Sequence, residues 1–178
     1  MVISDDHFLQ PLGYFDPLSL SADKTPAEVK KIREAELKHG RVCMLAFLGM
    51  FIGENFNPLF DGKITGPAIY QFQQADAILS NFWEIVLFSI ALVEGQNIII
   101  GWESPDETNA RSSGVANLKE NYVNGDLGFD PLNLKPTDSA AFDVMRTKEL
   151  NNGRLAMIGV AGVIAQELVS NQPALHVL

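Results

Sequence analysis

Glu36, His39 and Arg41 stand in the stretch ELKHGR, and Glu149, Asn152 and Arg154 in the stretch ELNNGR. Each runs straight into apolar sequence, VCMLAFLGMFIG after the first and LAMIGVAGVIA after the second. Carboxylate, imidazole and amide groups can ligate a metal or meet an arginine, and at the mouth of an apolar helix a charge is costly unless it is engaged. Successive helical residues lie about 100° apart, so Glu36 and His39 share a face. Glu36 and Arg41 are five apart, roughly 140° around the helix, and cannot readily pair, and the same holds for Glu149 and Arg154. Two crossing helices solve both problems at once, with Glu36 meeting Arg154 and Glu149 meeting Arg41. Gly40 and Gly153 sit beside the arginines, and Gly49, Gly53, Gly159 and Gly162 follow; small residues let helix backbones approach closely in lipid. One such motif is an ordinary solvated helix end. Two at matching spacing are not.

A carboxylate neutralised by arginine keeps a free lone pair, and can ligate a hard cation without bringing net charge into lipid. His39 and Asn152 are second donors three residues after each glutamate. Gln166 lies fourteen residues beyond Asn152, on nearly the same face and about 21 Å further along. Glu94 sits inside the apolar SIALVE stretch. These donors are spread out, which points to separate single-ligand sites. A metal already held in a macrocycle, such as the magnesium of a porphyrinoid, needs only one protein ligand. The alternative is a di-iron carboxylate bundle, because Glu36-x-x-His39 matches the Glu-x-x-His ligand pattern of those enzymes. That chemistry needs the pattern twice plus two more glutamates; here the second copy ends in Asn152, and only Glu94 and Glu84 remain.

The elements that must position these groups form an internal repeat. LGYFDPLSL at 12–20 recurs as LGFDPLNL at 127–134, so Asp16-Pro17-Leu18 and Asp130-Pro131-Leu132 precede Glu36 and Glu149 by 20 and 19 positions. A period near 113 is too long for a solenoid and suggests two related halves about a pseudo-two-fold axis. Thr25-Pro26 with Glu28 opens one helix, and Thr137-Asp138 opens its counterpart. Helices are expected near 26–54, 77–101 and 138–170, with connecting loops at 55–75 and 101–136 rich in Gly, Pro and Asn. No apolar run reaches about 18 residues, the length that marks a membrane helix by itself, although 42–53, 82–100 and 155–169 come close. Charge placement favours spanning. If the helices alternate in direction, six cations up to Arg41 and six from Arg111 to Arg154 share one side, and Lys63 alone takes the other. The fold expected is an all-α membrane protein of one domain over 1–178, its first and third of three spans forming a crossed pair.

Composition narrows the function further. A net charge of −9 argues against nucleic-acid binding. The single cysteine, Cys43, excludes an intrachain disulfide and reads as a small buried hydrophobe. MVISDDHF has neither the apolar core of a secretory signal nor the look of a transit peptide.

ELKHGRVCMLAF and ELNNGRLAMIGVAG, each preceded by a GFDPL-type loop, resemble the signature of the light-harvesting chlorophyll-binding superfamily over nearly the whole chain. The resemblance implies two long helices locked by reciprocal Glu–Arg pairs. It assigns chlorophyll magnesium to Glu36, His39, Glu94, Glu149, Asn152 and Gln166, and carotenoid end groups to the loops at Asp16, Pro17, Leu18 and Asp130, Pro131, Leu132. With no fourth amphipathic helix after Val169, the chain is more similar to fucoxanthin–chlorophyll a/c proteins than to chlorophyll a/b proteins. That likeness implies chlorophyll a, chlorophyll c, fucoxanthin and diadinoxanthin. Glu84, Gln96, Gln74 and His176 are further candidate ligands. The implied function is a non-enzymatic antenna in the plastid thylakoid membrane, passing excitation to a photosystem core beside thylakoid lipids and other antenna subunits. A photoprotective, quenching relative is the alternative within the same fold.

Overall fold

The computed structural model describes residues 16–56, 59–106 and 116–174. It is mostly helical: α1 spans Pro26–Asn55, a 3-10 turn spans Leu59–Gly62, α2 spans Ala68–Ile78, α3 spans Phe82–Gly101 and α4 spans Ser139–Ser170. The two long helices begin where their caps dictate. Thr25 and Glu28 form a reciprocal capping box, with Thr25 N donating to Glu28 Oε2 at 2.8 Å and Glu28 N to Thr25 Oγ1 at 3.3 Å. At the start of α4, Ala141 N donates to Asp138 Oδ2 at 3.0 Å.

The segment 55–75 is not only the loop expected from its prolines and glycines, because α2 begins inside it at Ala68. The middle helix likewise starts at Phe82 rather than near 77, after a break in which Leu79 turns extended. An 11-residue helix is marginal by itself. Its support is tertiary: Ala68 and Ala75 are buried, and Ile69 N donates to Glu167 Oε2 at 3.0 Å.

The chain forms two compact units, and α1, α3 and α4 each contribute to both. The first comprises residues 1–39 and 96–152. Its centre is the contact of α1 with the segment after α3, where Leu118 and Tyr122 are buried and Trp102 bridges Leu118. The second comprises residues 40–95 and 153–178. Here α1 and α4 touch backbone to backbone: a Cβ placed on Gly40 would lie 3.0 Å from Gly153 Cα, and one on Gly153 2.9 Å from Gly40 Cα. No larger residue fits this crossing without separating the helices. Of the lysines and arginines, only Arg41, Lys63 and Arg154 fall in the second unit's ranges.

Burial is inverted relative to a water-soluble domain. Trp83, Ile85, Leu87, Phe88, Ile90 and Leu92 of α3 are all exposed, whereas the largest fully buried side chain among the described residues is Glu167. Both α3 and α4 are long and apolar enough to cross a membrane, and only 11% and 17% of their most apolar 18-residue stretches are buried. Soluble core helices of that hydropathy are buried on most sides. The described helices α3 and α4 are therefore dressed for lipid or for apolar ligands.

Candidate functional site

The two Asp-Pro-Leu loops adopt the same local structure. Asp16 Oδ1 accepts Leu20 N at 2.9 Å and its Oδ2 accepts Ser21 N at 2.9 Å. Asp130 Oδ1 accepts Leu134 N at 2.9 Å and its Oδ2 accepts Lys135 N at 2.8 Å. Ser19 and Asn133, the fourth residue of each motif, share the left-handed conformation at φ 52° and 50°. Each aspartate thus closes a tight loop with its own carboxylate and proline sets the first turn. These closed loops turn Leu18 and Leu132 outward, at 76% and 74% exposure. The backbone N–H groups of Lys135 and Leu134 hold the Asp130 carboxyl below the ordinary aspartate range. The Lys135 ammonium does the same for Asp126.

His39 is exposed on α1, and its Nδ1 lies 2.7 Å from the carbonyl of Ala35. A carbonyl only accepts, so Nδ1 carries the proton and the Nε2 lone pair is left for a metal. This is the orientation by a second hydrogen bond that metal-ligating histidines need. Gln166 Nε2 donates to Ala174 O at 3.3 Å, a bond that leaves the lone pairs of Oε1 unused. Asn152 is exposed on α4, and Glu36, Glu94 and Glu149 are half-buried. Glu36, His39, Glu149 and Asn152 belong to the first unit, and Glu94, Gln166, Arg41 and Arg154 to the second. Glu36, Arg41, Glu94, Glu149 and Arg154 all have polar or electrostatic partners.

Among the weaker candidates, Gln74 is unsuited to ligation. Its Oε1 accepts Thr65 N at 2.9 Å and its Nε2 donates to Thr65 O at 2.8 Å, so both ends of the amide brace the loop. Glu84 and Gln96 are exposed on α3, and His176 lies outside the described residues. No group of three or more His, Cys, Asp or Glu able to hold a metal occurs among the described residues. The residues present do fit a metal that arrives with its equatorial ligands, because His39 and Gln166 each offer one directed atom beside exposed apolar side chains. An apolar groove of about 410 Å³ between the end of α1 and α2, lined by Gly49, Ile52, Phe56, Phe60, Phe72 and Phe82, is a further surface of that character.

Two features were not read from the sequence. Glu34 on α1 is 5% exposed and accepts Tyr122 Oη at 3.0 Å and Gly125 N at 3.0 Å. No spacing rule links residues 88 apart. In the second unit, Glu54 Oε1 accepts Ala174 N at 3.1 Å while Glu167, 0% exposed, accepts Ile69 N. Each glutamate at the end of one long helix therefore holds the segment that follows the other. Their separation, 113 residues, equals that of Glu36 and Glu149, so the repeat did carry a signal for this pair.

A family model for chlorophyll A-B binding protein matches residues 4–168. The chain is 50% identical to light-harvesting complex stress-related protein 3.2 of Chlamydomonas reinhardtii over 162 residues, covering 88% of this chain and 60% of that relative. It is 45% identical to a fucoxanthin-chlorophyll a-c binding protein of Isochrysis galbana over 159 residues, covering 89% and 74%. A chlorophyll a-b binding protein of Petunia hybrida is 32% identical over 166 residues, covering 86% and 57%. The chain thus spans about 60% of the length of the stress-related relatives it matches. Because the family match covers nearly all of its length, the chain belongs to the chlorophyll a-b binding protein family.

Proposed function

We propose that the chain is an antenna apoprotein of the plastid thylakoid membrane, spanning it three times and holding chlorophylls and carotenoids for excitation transfer to a photosystem. In this reading α1 is the third span beside α3 and α4, and α1 and α4 cross about a pseudo-two-fold axis. Contact of Gly40 with Gly153 and the matching Asp16 and Asp130 loops support that symmetry. Reciprocal pairs, Glu36 with Arg154 and Glu149 with Arg41, lock the crossing and leave a carboxylate lone pair for magnesium. His39, Asn152, Gln166 and Glu94 are the remaining single ligands. The observation that carries the reading is His39, whose Nδ1 is committed to Ala35 while Nε2 stands open on an exposed helix face.

When bound, the pigments supply light absorption and energy transfer. The protein contributes fixed spacing and orientation, exclusion of water, and one ligand atom per metal. The relatives named for fucoxanthin and chlorophyll a-c favour chlorophyll a, chlorophyll c and fucoxanthin, with diadinoxanthin as a further carotenoid. Thylakoid lipids, other antenna subunits and a photosystem core are the partners of such a scaffold. The stress-related relatives favour a second reading, in which the same scaffold dissipates excitation.

The test is the visible absorption and fluorescence excitation of the detergent-extracted protein. Chlorophyll bands with carotenoid-sensitised chlorophyll emission support harvesting, strong quenching of that emission supports dissipation, and a colourless protein refutes both.

A further inference from the structure

Buried carboxylates need a reason, because desolvating one is costly unless directed donors compensate. Glu34 has such donors, and both come from one short segment. Tyr122 Oη and Gly125 N each donate to it at 3.0 Å, to Oε1 and Oε2 respectively. One turn earlier on α1, Lys30 Nζ donates to Lys119 O at 2.6 Å and Glu120 O at 3.1 Å, and Lys30 O accepts Asn124 Nδ2 at 2.7 Å. The Tyr122 ring also lies against Gly101 at the end of α3, where an added Cβ would come within 3.1 Å of it. Residues 119–125 are therefore fastened to α1 at five hydrogen bonds and to α3 by a ring contact. All of these groups belong to the first unit.

The fastened segment leads directly into the second Asp-Pro-Leu loop. Gly125 is followed by Asp126, which is bound to Lys135 across the loop, and by Phe129, which is 86% exposed. The loop is thus closed at its base by Asp126–Lys135, closed internally by Asp130, and fixed to α1 through Glu34. Glu34 lies two residues before Glu36 and five before His39 on the same helix. A hydrophobic contact could bind this segment to α1, but two directed donors on one carboxylate also fix its register and height along the helix.

We propose that Glu34 is a positioning residue. It sets where the Asp130 loop holds a carotenoid end group relative to the chlorophyll ligands on α1, and so governs energy transfer between those two pigments. The proposal rests on the pigment-scaffold reading. The experiment compares Tyr122→Phe, which removes one bond but keeps the ring on Gly101, with Glu34→Leu, which removes both bonds, in protein loaded with an algal pigment extract. Carotenoid-sensitised emission, relative to emission from directly excited chlorophyll, is expected to fall in Tyr122→Phe and to fall further in Glu34→Leu. Chlorophyll per polypeptide stays at the wild-type value. Unchanged sensitised emission in both variants overturns the proposal. So does loss of chlorophyll and carotenoid in equal proportion, which would mark a purely structural role. If Glu34→Leu does not fold, Tyr122→Phe decides alone. A wild-type protein that takes up no chlorophyll refutes the pigment reading itself.

Discussion

Gly153→Ala adds one carbon at the closest point between α1 and α4. That carbon would lie 2.9 Å from Gly40 Cα, whereas carbon atoms pack best at about 3.5–4.0 Å. The helices must part by roughly 0.5–1 Å, and overpacking of this kind costs about 1–3 kcal/mol. Alanine also favours helix over glycine by about 1 kcal/mol, which offsets part of the loss. Gly162, on the same helix, has nothing within 4 Å of its would-be Cβ. Gly162→Ala therefore carries the helix gain without the clash, and the difference between the two variants isolates the clash. For a chain of this size it corresponds to about 2–4 °C of melting temperature per kcal/mol. The assay is thermal loss of visible circular dichroism in pigment-loaded protein. Gly153→Ala should melt below Gly162→Ala by roughly 2–12 °C, and Gly40→Ala should match Gly153→Ala. Equal melting of the variants at 153 and 162 would refute the close crossing.

Arg154→Leu leaves Glu36 without its proposed counter-charge in the apolar span, a loss of about 2–4 kcal/mol; assembly with pigment should fail, and a normal pigment yield would refute the pairing. Acid should loosen the Asp130 loop. Its folded pKa is depressed, so its contribution is present above the ordinary value of 3.8 and is lost as pH falls through the lower folded value; a circular-dichroism change from the carotenoid proposed at this loop belongs in that acid range, and one centred near neutral pH would contradict the assignment. Glu167→Gln keeps an acceptor for Ile69 N and should be tolerated, whereas Glu167→Leu leaves that N–H unpaired, at about 1–3 kcal/mol, and should speed proteolysis around α2.

The paired loops and the close helix crossing were legible because they are repeated. Asp16 and Asp130, Glu36 and Glu149, and Gly40 and Gly153 recur in order, and the capping sequences around Thr25 and Asp138 mark where α1 and α4 begin. Helix α2 was not legible. Its sequence AIYQFQQADAI buries small alanines rather than a stripe of large apolar residues, and it follows Gly66-Pro67. Part of its support is the hydrogen bond from Ile69 N to Glu167, 98 residues away. Glu34 escaped for the same reason: nothing local distinguishes it from Glu36, and its partners arrive from a distant loop of the first unit.

The most direct test is a count of chlorophylls per polypeptide in wild type, His39→Leu and Gln166→Leu, each loaded with the same pigment extract. Single-ligand magnesium sites predict one chlorophyll fewer in each variant, with the other pigments retained. Wild-type counts in both variants would contradict the account.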